Sequence, residues 1–123
     1  MSNTEILDKI GKTVVEKVYD ESLRYFKDLR AGTTKWAIGK EYTDVLNKLS
    51  ESDKDILYKL HESTINTAIF SFMQIFEDHP EFKIVYEENG QQVDLNKISE
   101  MLKAEHHSWI QRFSQELKNE SPS

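Results

Sequence analysis

A chain of 123 residues supports one domain, and its 37% hydrophobic and 31% charged residues describe a globular body with a densely charged surface, not a disordered chain. The lack of cysteine excludes disulfides, thiolate metal sites and cysteine nucleophiles. A net charge of −6 repels phosphate backbones and anionic headgroups, so the sequence argues against nucleic acid and membrane surfaces as partners and favours a basic protein.

The first segment, Met1 to Glu5, has neither the basic nor the apolar block of a secretion signal. No uncharged apolar run reaches the roughly 18–20 residues of a membrane span. Together with the absent cysteines, these features predict a cytoplasmic protein.

Residues 4–30 predict a first helix. Ile6, Ile10, Val14 and Val18 recur every four positions, and Tyr25, Phe26 and Leu29 extend the apolar stripe. Asn3 or Thr4 is the expected N-cap and Gly32 the expected stop, while Gly11 weakens the first turns by up to ~1 kcal/mol against alanine. A second helix is predicted over 35–49, with Trp36, Ile38, Tyr42, Val45, Leu46 and Leu49 on its buried side.

Ser50 with Asp53, or Ser52 with Asp55, gives a capping pattern for a third helix over about 52–78. Its expected core side is Ile56, Leu57, Leu60, Ala68, Ile69, Phe72, Met73 and Phe76, and His79-Pro80 ends it. Residues 82–86 then read as a strand. Asn89-Gly90 reads as a tight turn, and Gln91 to Val93 as the returning strand. Such a hairpin is marginal alone and must lean on the helices.

Asp94 caps a last predicted helix, 95–118, striped by Leu95, Ile98, Leu102, Trp109, Ile110, Phe113 and Leu117. Residues 119–123 are expected to fray. The predicted fold is therefore mostly α: one domain over 1–118, a bundle of four helices with a small β-hairpin between the third and fourth.

No catalytic motif emerges. Neither a G-x-S-x-G elbow nor S-x-x-K occurs, and four isolated glycines cannot build a phosphate-binding loop. His61, His79, His106 and His107 each lack a histidine or carboxylate three or four positions away, so no pair of metal ligands shares a helical face. The expectation is no metal and no cofactor.

Two candidate sites remain. From Glu77 to Asp94 the acids Glu77, Asp78, Glu81, Glu87, Glu88 and Asp94 face a single base, Lys83, so this stretch carries −5 of the chain's −6. It predicts a docking surface for a basic protein, with charge speeding association. The alternative is a small-molecule or enzymatic pocket between the third and fourth helices, built from His61, Glu62, Asn66, Glu105 and His106. The aromatic residues Trp36, Phe82, Tyr86 and Trp109 also raise the expectation of a homodimer.

The run Leu60-His61-Glu62-x-x-x-Asn66, then Phe72, Phe76-Glu77, the 82–86 strand and Ile98-Ser99-x-x-Leu102-x-x-Glu105-x-x-x-Trp109-Ile110-x-x-Phe113-Ser114, resembles a group of small bacterial helical proteins. Some of these are similar to immunity proteins of toxin systems. The resemblance spans about the C-terminal half of the chain and consists largely of core positions. It implies a bacterial, cytoplasmic binding protein, possessing no family catalytic residue that can be carried over.

Overall fold

One helical run carries the chain from Asn3 to Ala31 in the computed structural model, which describes residues 1–120. It comprises α1 (Asn3–Val14), a π-helical segment (Val15–Asp20) and α2 (Glu21–Ala31). The cap is Ser2 rather than Asn3 or Thr4: its Oγ accepts the Glu5 N–H at 3.2 Å. Gly32, at φ +74°, ends the run as expected.

The predicted apolar stripe enters the core only in part, at Ile6, Phe26 and Leu29. Val15, Tyr19 and Leu23 are fully buried, whereas Ile10 and Val14 are half-buried and Val18 is exposed. The helix carries two adjacent apolar stripes, and α6 packs against the one that includes Gly11. Any side chain on Gly11 would meet the Trp109 ring, so the close approach selects this face.

Helix α3 (Ala37–Leu46) also turns unexpectedly. Of its predicted buried side, Leu46 is buried and Leu49, just beyond the helix, is half-buried, while Trp36, Ile38 and Val45 are 71, 56 and 58% exposed. The inner face is instead small and polar. Gly39 abuts Thr34, the Thr43 hydroxyl donates to the Leu29 carbonyl at 2.7 Å, and Leu46 joins Phe26 and Leu29 in a minor core. Small residues let the helix sit close to α2, at the cost of turning its apolar stripe to solvent.

Helix α4 (Glu51–Asp78) begins at Ser50, whose Oγ accepts the Asp53 N–H at 3.1 Å. It buries Ile69 and Met73, but Ile56, Leu60 and Phe72 of its predicted core side are exposed. Strands β1 (Val85–Glu88) and β2 (Gln91–Asp94) pair antiparallel with Val85 opposite Asp94 and Glu88 opposite Gln91. Asn89 and Gly90 have φ +52° and +79°, the backbone a primed turn demands. Ile84, Tyr86 and Val93 lean on the main core, which supplies the support a two-stranded hairpin needs.

The predicted final helix is three: α5 (Leu95–Ile98), α6 (Leu102–Phe113) and α7 (Gln115–Glu120). Side chains cap each restart. Asp94 caps α5, Glu77 accepts the Lys103 N–H in the first turn of α6, and Ser114 accepts the Leu117 N–H at the head of α7. Counting Asn3 to Ala31 as one helix, the described residues form six helices where four were expected, and 74% of them are helical. Of the expected tail, 119–120 continue α7 and 121–123 lie outside the described residues.

The core sits where the long helix, α4 and α6 meet. Trp109 and Leu23 are wholly enclosed there, with Tyr19, Met73, Leu95 and Leu102 around them.

Candidate functional site

The acidic residues gather at the end of α4 and on the hairpin, but they divide by task. Glu77 is largely buried and holds α6 through the Lys103 N–H at 2.8 Å and the Lys103 ammonium at 3.5 Å. Asp94 is half-buried and accepts the Asn96 N–H at 3.0 Å. Both carboxylates therefore work inside the fold. Asp78, Glu81, Glu87 and Glu88 are exposed.

Three of these four have local polar neighbours. Glu81 lies 3.3 Å from His79 Nδ1, and Glu87 accepts from Gln92 Nε2 at 3.1 Å. Glu88 accepts the Tyr86 hydroxyl, and this hydrogen bond, with the carboxylate's charge, raises the phenol above its ordinary value of 10.0. Lys83 and Lys97 border a shallow depression on the hairpin's flank, so two ammonium groups interrupt the negative surface on that side.

The alternative pocket residues are not brought together. His61 Nε2 meets the Ser22 carbonyl at 2.7 Å and its ring packs on Phe26, which ties it to α2. Glu62 borders an open depression with Lys27, Arg30, Asp55 and Tyr58 on the same side. His106 is buried on α6, with Nδ1 2.9 Å from the Lys103 carbonyl and its ring edge-on to Phe70.

His61 and Phe70 are nine positions apart on α4, about 14 Å along the axis, so the two histidines occupy separate neighbourhoods. Glu105 accepts the Ser99 hydroxyl at 2.9 Å, and Asn66 is half-buried. Among the described residues no group of three or more histidines and carboxylates is placed to hold a metal ion. No helix among them is long and apolar enough to cross a membrane.

A feature that the sequence reading missed is an apolar groove of about 670 Å³ between the long helix and α4. Ile10, Val14 and Val18 form one wall, Ile65 to Phe76 of α4 the other, and Ile84 and Lys83 close the hairpin end. Lys83 is the single charged residue in the lining. The signal was present as surplus: a helix with two neighbouring apolar stripes has more greasy surface than its own chain covers.

Trp109, named among candidate interface aromatics, is wholly buried and belongs to the core, whereas Trp36 and Phe82 are exposed. Comparison with protein-family models, with curated proteins and with solved structures yields no match for this chain.

Proposed function

We propose that this chain acts by binding and not by catalysis, and that its acidic end receives a basic protein. The observation that supports this is the grouping of Asp78, Glu81, Glu87 and Glu88 as exposed acids on the end of α4 and the adjoining hairpin. Negative groups concentrated at one end of a body steer a positive partner and raise its association rate, an effect that salt weakens. The resemblance to immunity-type proteins makes a toxin the partner class to try first.

The test is co-purification of the natural partner with the tagged chain, at low and high salt. The comparison is a variant carrying Glu81→Lys, Glu87→Lys and Glu88→Lys, which spares the two carboxylates that cap helices. The proposal expects a basic partner retained at low salt, released at high salt and lost from the variant. A partner held equally by the variant overturns it.

A further inference from the structure

We propose that two copies of this chain associate by exchanging α3, the outward face of each α3 seating in the other copy's groove between the long helix and α4. This goes beyond the acidic-end reading and uses none of its four exposed acids.

Among the described residues, both halves of the contact are left open to solvent. Ile38, Tyr42 and Val45 stand at i, i+4 and i+7 on α3, a single helical face turned to solvent. The groove presents Val18 and Phe72, 44 and 58% exposed, above half-buried Ile10, Val14 and Ile65. A helix laid in an apolar groove with anchors at this spacing is a recurrent recognition mode.

Length and charge agree. Helix α3 has 10 residues, about 15 Å, and the α4 wall from Ile65 to Phe76 runs about 16 Å. Lys83 is the charge in the groove. At 100° per residue, Glu41 borders the α3 stripe and Lys40, the lysine of that helix, falls on the opposite side, so α3 offers the groove an acid and withholds its base. Docking leaves α3 in place, since Leu46 and Thr43 hold its inner face to α2. Reciprocal exchange also closes the assembly at two copies, because each copy supplies one helix and one groove.

The test is sedimentation of the full chain over a wide concentration range. One variant carries Ile38→Glu and Val45→Glu, another Val18→Glu and Phe72→Glu. All four positions are exposed, and circular dichroism checks that both variants keep their helices. The proposal expects a wild-type dimer, with either variant raising the dissociation constant on the order of a hundredfold. An equal mixture of the two variants forms a heterodimer at concentrations where neither associates alone, because one intact α3 then meets one intact groove. A wild-type chain monomeric throughout, variants that dimerise like wild type, or a mixture that stays monomeric would each overturn the proposal.

Discussion

Trp109 rests against Gly11 so closely that a Cβ there would lie 2.5 Å from the indole Cγ. The ring is wholly enclosed, and its Nε1–H has no hydrogen-bond acceptor among the described residues, so packing alone holds it. The glycine that weakens α1 as an isolated helix is thus what admits the largest core side chain. Gly11→Ala gains up to ~1 kcal/mol of helix propensity yet forces a methyl into a filled space, where overpacking costs about 1–3 kcal/mol. A net loss of stability is expected by urea denaturation, and Gly11→Ala combined with Trp109→Leu should show favourable coupling. A Gly11→Ala chain more stable than wild type would contradict the contact.

Asp20 is 1% exposed and receives two hydrogen bonds from ninety-odd residues away: the Ser114 hydroxyl at 2.7 Å and the Gln115 N–H at 3.0 Å. Ser114 in turn accepts the Leu117 N–H, so one carboxylate fixes the head of α7. Asp20→Asn turns an acceptor into a donor facing donors. It should cost about 1–3 kcal/mol. Hydrogen exchange of the Gln115 and Leu117 amides should quicken more than that of the α6 amides. Uniform protection across both helices would place the anchor elsewhere.

Arg30 bridges α2 to α4 with two contacts of 2.7 Å, one to Glu51 and one to Asp55. The Arg30 hydrogen bond, aided by Lys54, lowers the Glu51 carboxyl below its ordinary 4.5. A carboxyl depressed in the folded state contributes stability that is complete above 4.5 and lost as pH falls through the lower, folded value. Denaturation midpoints from pH 6 down to about pH 3 should therefore drop more steeply for wild type than for Glu51→Gln. Parallel curves would remove Glu51 from the account.

Tyr86 gives the opposite sign. Its phenol is raised by the hydrogen bond to Glu88, so the associated stability is present below 10.0 and lost as pH climbs through the raised value. Ultraviolet titration should find Tyr86 ionising above 10.0, and Glu88→Gln should bring it back toward that value. An unchanged titration in the variant would separate the two residues.

The helical class was legible because periodic apolar residues and side-chain caps are local signals. Ser50, one of the two serines whose spacing offered a cap, and Asp94 both cap helices, and Asn89-Gly90 makes the turn it encodes. Which stripe of the first helix turns inward was not legible, since Ile10, Val14 and Val18 are as apolar as Val15, Tyr19 and Leu23. The choice depends on Trp109 finding Gly11, a contact across nearly the whole chain. The breaks at Ser99 and Ser114 were hidden likewise, because Asp20 and Glu77, which secure the restarts, lie far away in sequence. At the acidic end, composition gave the charge but not its division into carboxylates that cap helices and carboxylates that face water.

The π-helical segment Val15–Asp20 has a consequence for how this chain tolerates change in length. Such a segment fits additional residue into a turn that α geometry fills with fewer. Removing one residue there would restore the tighter winding and leave the residues beyond it close to their present orientation, whereas removing one from α1 or α2 would turn the two sides of the cut by about 100° against each other. Insertions at the Asn89-Gly90 tip have no such lever arm. Outside its π-helical turn, the long helix thus behaves like a key cut to a fixed number of notches, whereas the hairpin tip can lengthen freely.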